Sequence, residues 1–126
     1  MKSLFIACTM LFSAACGAAV ANAPANLLVY AQSKSEGSMW AGSKSAFTKT
    51  FDVSIANPTD QDIDLATLCL RAYASDTQSF GVDTVDDLLT KGWLKKGSTV
   101  SGVVVFSSGK RDVYQAAMVK VFHDCP

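Results

Sequence analysis

The sequence predicts an all-β chain folded as a sandwich. Three observations carry this. Short stretches alternate apolar and polar residues, as strands with one buried face do. Clusters of Gly, Pro, Asn, Asp and Ser separate them. No heptad, internal repeat or long amphipathic helix interrupts the pattern. About six or seven such stretches in a chain of 126 residues suit two antiparallel layers over one modest core.

The elements follow in order. Residues 27–32, with Val29 and Tyr30, read as a first strand, and residues 33–45 read as a loop because Ser and Gly dominate them. Met39 and Trp40 stand in the middle of that loop. Residues 47–56 form the clearest strand, with Phe51, Val53 and Ile55 alternating against Asp52, Ser54 and Ala56. Asn57-Pro58-Thr59-Asp60 ends it as a turn. Residues 63–73 read as the next strand, placed centrally because Leu68-Cys69-Leu70 is apolar on both faces. Phe80, Val82 and Thr84 alternate again, and residues 85–89 read as a strand end or a single helical turn. Gly92 and Gly97 punctuate the stretch around Trp93, which is expected in the core. Residues 100–106 form a β-branched strand, 107–112 a polar turn and 113–122 the last strand. The expected core includes Phe51, Val53, Ile55, Leu68, Leu70, Val104, Phe106, Val119 and Val121.

The amino terminus is of a different kind. Met1-Lys2 is basic, residues 4–15 are apolar save Thr9 and Ser13, and Ala19-Val20-Ala21 offers the small side chains a signal peptidase accepts. A membrane span needs about 20 apolar residues, more than this stretch supplies. Residues 1–21 are therefore expected to be a cleaved signal peptide and residues 22–126 a single β-sandwich domain, periplasmic or secreted. A cut after Ala23 is disfavoured because Pro24 would follow it. The alternative is a lipoprotein: Cys16 follows Ser13-Ala14-Ala15 and precedes Gly17, resembling a lipid-modified cysteine, although Ser13 stands where a large aliphatic residue is usual.

Eleven basic side chains balance eleven acidic ones, and the signal peptide removes only Lys2. Near-neutral charge argues against nucleic-acid binding and against polybasic docking on anionic lipid. Of four cysteines, Cys8 and Cys16 belong to the leader, which leaves Cys69 and Cys125. In an oxidising compartment such a pair reads as one disulfide. On the chain-entropy model, closing so long a loop is worth roughly 4 kcal/mol.

Several motifs resemble a known group. Val53-x-Ile55-x-Asn57, the run from Leu68 to Tyr73, and Leu94-x-x-Gly97-x-x-Val100-x-Gly102-x-Val104-x-Phe106 resemble the small exported immunoglobulin-like domains of bacteria, many of them of unknown function. The resemblance covers residues 47–122 and implies an immunoglobulin-like β-sandwich of about six or seven antiparallel strands. It implies no catalytic residues.

Several constellations approach a chemical site and fall short of it. Asp60, Asp62 and Asp64 alternate as in a calcium loop, but Leu65 stands where the glycine belongs and Arg71 where the bidentate glutamate belongs. His123 is the single histidine, too few for a zinc or copper site once both cysteines are committed. Gly92, Gly97 and Gly102 precede a strand, whereas a phosphate loop precedes a helix. Asp83, Asp86 and Asp87 read as an exposed acidic loop. No cofactor and no metal is expected.

The chain therefore reads as a non-enzymatic binding module with an envelope or extracellular protein partner, the lipid-anchored form being the alternative and a hydrolase the remote one. The candidate partner-binding residues are Met39 and Trp40. Two readings of Trp40 stand open: it folds back to cap the core, or it presents a large apolar anchor to a partner.

Overall fold

The computed structural model describes residues 26–123; the expected signal peptide, Cys16 and Cys125 lie outside the described residues. The strands are β1 (Leu28–Ala41), β2 (Lys44–Ala56), β3 (Ile63–Asp64), β4 (Cys69–Ser75), β5 (Gln78–Val85), β6 (Trp93–Leu94), β7 (Thr99–Ser108) and β8 (Met118–Phe122). Short 3₁₀ turns lie at Leu65–Thr67, Asp87–Leu89 and Arg111–Gln115. Six strands pair in the order β1-β2-β7-β5-β4-β8, and β3 pairs with β6. All these pairings are antiparallel, so the expected all-β, sandwich-like class stands.

The alternation in β2 positions the first layer. Lys49, Phe51, Val53 and Ile55 are buried in turn. Directly opposed residues of antiparallel strands share a face. Val29 and Ala31 of β1 therefore join Ile55 and Val53, and Val104 of β7 joins Phe51. The second layer has a matching row in which Phe80, Ala72 and Val119 stand abreast on β5, β4 and β8, with Leu70 beside Val121. Both rows belong to one apolar core. Phe51 and Phe106 meet edge to face within it, centroids 5.8 Å apart.

β5 joins the layers by changing partner. Ala72↔Phe80 is the last pair of the β4–β5 ladder toward the start of β4, and Gly81↔Ser107 begins pairing with β7. β4 has a neighbour on each side at Ala72 and Tyr73, whereas Cys69 and Leu70 pair with β8 alone, so the central placement expected of the Leu68-Cys69-Leu70 stretch does not hold there.

At one end of the sandwich the chain closes tightly. The Asn57 side chain is buried; its amide donates to the carbonyls of Gln61 and Leu94, and its oxygen accepts from the N–H and hydroxyl of Thr59. Gly102 allows a second close approach. A Cβ there would lie 2.9 Å from Asp86 Cβ and 3.0 Å from Leu89 Cγ, so the Asp87–Leu89 turn packs directly on β7.

The structure corrects several expectations. Residues 33–45 are not a loop: β1 runs to Ala41, and a two-residue turn at Gly42-Ser43 returns it as β2. Gly42 has φ +65°, which suits the first position of a hairpin turn matched to strand twist. Cross-strand pairing with the well-patterned β2 outweighs the weak strand preference of Ser and Gly.

Residues 63–73 divide into β3, a turn and β4. The Asp64 carboxylate accepts from Ala66 N–H and stops the strand, while Leu65 drops into the core. In 113–122 the first residues fold as a 3₁₀ turn, because Val113 and Ala116 are both buried at a spacing of three. Leu68 and Leu70 are only partly buried, while Leu27, Leu65, Phe80, Leu89 and Leu94 fill the space expected of them. Trp93 is not in the core; it is 61% exposed, because in a two-residue strand Leu94 takes the inward position.

Candidate functional site

The β1–β2 hairpin is longer than the layer it faces. The β2–β7 ladder ends at Phe47↔Ser108, yet β1 and β2 stay paired out to Ala41↔Lys44. A bulge between Ser33 and Ser35 shifts the register of β1. Beyond it, Glu36 opposes Lys49, Ser38 opposes Phe47 and Trp40 opposes Ser45. Trp40 thus continues the inward row of Phe51, Lys49 and Phe47, but past the point where the second layer ends. Its exposure is 75%, which overturns the reading in which it caps the core. Met39 opposes Ala46 on the other face and is 50% exposed.

A polar knot fixes the base of this overhang. Lys49 is only 8% exposed. Its ammonium donates to the carbonyl of Tyr114 at 2.8 Å and to that of Ala116 at 2.7 Å. Glu36 stands 3.9 Å away, and the Phe51 ring lies beneath the ammonium at 5.6 Å. The Lys49 bonds satisfy carbonyls at the end of the Arg111–Gln115 turn, much as basic side chains finish helices. Tyr114 closes the knot from the other side: its hydroxyl donates to Gly37 O at 2.8 Å and its ring meets Phe47 edge to face at 5.9 Å. Arg111 lies over the Phe47 ring. The overhang beyond Gly37 therefore rises from a fixed base.

A second concavity lies where β4 and β5 part. It measures about 300 Å³. Leu68, Cys69, Leu70 and Arg71 form one wall and Gly81, Val82 and Val85 the other, with Ile55 and Leu89 deeper within and Thr90 beside them. The wall is apolar except for Thr90 and Arg71. That guanidinium is held by Ser79, whose hydroxyl accepts from Nε at 3.1 Å and from an Nη at 2.9 Å. Sequence reasoning met Arg71 only as the residue that spoils a calcium loop. The signal was a lone cation in an apolar strand, and the parting of β4 from β5 that exposes it depends on β5 changing layer.

Of the acidic residues singled out in the sequence, Asp62, Asp64, Asp86 and Asp87 have structural employment. Asp62 accepts from Lys96 N–H at 2.9 Å and pairs with Lys95 at 3.6 Å. The Lys96 bond, with help from the Lys95 charge, holds its carboxyl below the usual carboxylate range. Asp64 and Asp86 cap 3₁₀ turns, and Asp87 pairs with Lys91. Among the described residues no group of three or more His, Cys, Asp or Glu could hold a metal ion. His123 is exposed at the end of β8. Cys69 opens β4 opposite Phe122, three positions before Cys125, which is outside the described residues. No helix among the described residues is long and apolar enough to cross a membrane.

Comparison with known proteins places this geometry. No curated protein matches the chain. The chain is similar to a solved structure, the crystal structure of an ApaG protein from Pseudomonas aeruginosa PAO1. The two are 37% identical, with a TM-score of 0.75 over 82% of this chain and 100% of that one. The family described as a domain of unknown function, DUF4354, matches residues 1–123, and the chain belongs to that family.

Proposed function

We propose that the chain is an exported, non-enzymatic binding module on an immunoglobulin-like sandwich, and that the tip of its β1–β2 hairpin engages a protein partner in the periplasm or outside the cell. The observation that carries this is Trp40, 75% exposed on a hairpin that overhangs its own core. A tryptophan offers large apolar area and one N–H donor at low conformational cost, which is why such residues dominate binding hot spots. The buried Lys49 knot supports the reading, since an anchor held in advance loses less freedom on binding. Engagement of Asp62, Asp64, Asp86 and Asp87 in turns and ion pairs supports a non-enzymatic role.

Export is part of the same proposal, with the mature chain starting at Asn22 and Cys69 joined to Cys125. Cys69 being disulfide-bonded supports it, as does the register that sets Cys69 opposite Phe122. Intact mass measurement tests both points. A chain beginning at Asn22 that gains two hydrogens on reduction is expected; a lipid-bearing Cys16 or two free thiols would overturn them.

The partner reading is tested by photo-crosslinking in the producing cell. A crosslinking amino acid in place of Ser43, in the hairpin turn, is expected to give discrete protein adducts. The same group in place of exposed Thr84 is expected to give none. No adduct from position 43, or the same adducts from both positions, overturns the reading.

A further inference from the structure

We infer that the cleft between β4 and β5 binds a single-chain carboxylic acid, with the apolar chain inside the sandwich and the carboxylate on Arg71 at the mouth. Four observations converge on this chemistry.

The first is shape. The β4–β5 ladder stops at Ala72↔Phe80, and the two strands then diverge because β5 joins β7. The opening, about 300 Å³, reaches inward to the core residues Ile55 and Leu89. That is the lower end of ligand-pocket sizes, room for one short chain and too little for a two-chain lipid.

The second is the lining. Leu68, Leu70, Val82 and Val85 surround the opening with Ile55 and Leu89, so an apolar body is what it favours.

The third is where the one cation stands. Ala72 is buried, so the alternation of β4 puts Arg71 on the outer face, at the mouth. Ser79 fixes its guanidinium through two bonds. Gly81 opposite leaves the guanidinium room: a Cβ there would meet an Nη of Arg71 at 3.8 Å and nothing closer.

The fourth is unbalanced charge. Arg71 lies directly across from Lys120 on β8, and like charges so placed repel. Among the described residues neither has a carboxylate within ion-pair distance. Lys120 rests over the Tyr73 ring at 4.7 Å. A carboxylate arriving at Arg71 relieves this repulsion and takes the paired, planar contact that guanidinium makes best.

Titration of the isotope-labelled protein with decanoate below its micelle concentration tests the inference. The expected result is saturable amide shifts confined to residues 68–71, 81–85 and 89–90. Decanol, which lacks the carboxylate, is expected to bind at least about tenfold more weakly. Arg71→Met is expected to remove that preference while leaving decanol binding unchanged. Ser79→Ala, which frees the guanidinium without removing it, is expected to weaken decanoate by a few-fold and serves as the second variant should Arg71→Met fold poorly. Shifts elsewhere, no saturation, or equal binding of decanoate and decanol to the unaltered protein overturns the inference. So does a peptide with a free C-terminal leucine that binds the cleft in place of decanoate, since the occupant would then be a chain end and not a fatty acid.

Discussion

The two ends of β2 are finished in opposite ways. At Ala56 the strand runs into Asn57, whose buried side chain ties together Thr59, Gln61 and Leu94. Leu65 and Leu94 plug the core from the connections on that side. At Lys44 nothing comparable exists among the described residues. The Arg111–Gln115 turn covers β2 only as far as Phe47, and the hairpin continues uncovered to Trp40. One inward row of side chains thus passes from core through a polar knot into solvent. Alternation decides which face a side chain takes, but burial is decided by what stands opposite.

Substitutions along that row should grade this contrast, beginning with the largest effect. Ile55→Asp, at the closed end, places an unpaired charge among apolar neighbours. It is expected to abolish cooperative unfolding, read by circular dichroism against temperature; a folded variant would mean the core is not where it is placed here. Lys49→Met, in the knot, keeps much of the side-chain volume but leaves two carbonyls without their donor. It is expected to cost about 1–3 kcal/mol in urea unfolding. No loss would show that water serves those carbonyls equally well. Tyr114→Phe removes only the bond to Gly37 O and is expected to cost about 0.5–1.5 kcal/mol. It should also speed amide exchange near Gly37 more than near Ile55, and uniform exchange would break the distinction between base and tip.

The smallest effect belongs to the closed end. The depressed pKa of Asp62 means that its charged form favours the folded state. That stability is present above the unfolded carboxylate pKa and is lost as pH falls through the lower folded value. Asp62→Asn is therefore expected to lower the melting temperature slightly at neutral pH, with the difference vanishing in strong acid. A difference that persists there would assign the effect to shape instead of charge. Because the carboxylate is exposed, the difference should also shrink with added salt.

How much of this was legible in the sequence follows from the same physics. The inward row of β2 and the Val104, Phe106 and Val119, Val121 pairs were legible because period-two alternation is a local property. The turn at Asn57 was legible from its residue types. The hairpin was not, because residues 33–45 are poor strand formers taken alone and owe their pairing to β2 across the turn. The 3₁₀ turn at Arg111–Gln115 was masked by the β-like pair Val113 and Tyr114, which point to different neighbours. Trp40 was picked out for its size in a run of small residues, but its exposure depends on where the second layer stops. Lys49 and Arg71 went unread as site residues because a single cation in an apolar strand says nothing local about its partners, which here lie 65 and 67 residues away for Lys49 and 8 for Arg71.

In the proposed function the hairpin tip is dispensable to the fold and reserved for a partner. Trp40→Ala tests it most directly when stability and crosslinking from position 43 are measured on the same variant. The expected result is a stability within about 0.5 kcal/mol of the unaltered protein, as for a surface side chain, together with loss of the discrete adducts. A loss of roughly 3–5 kcal/mol, the cost of removing a buried tryptophan, would contradict it. Adducts that persist at full yield in a stable variant would contradict it equally.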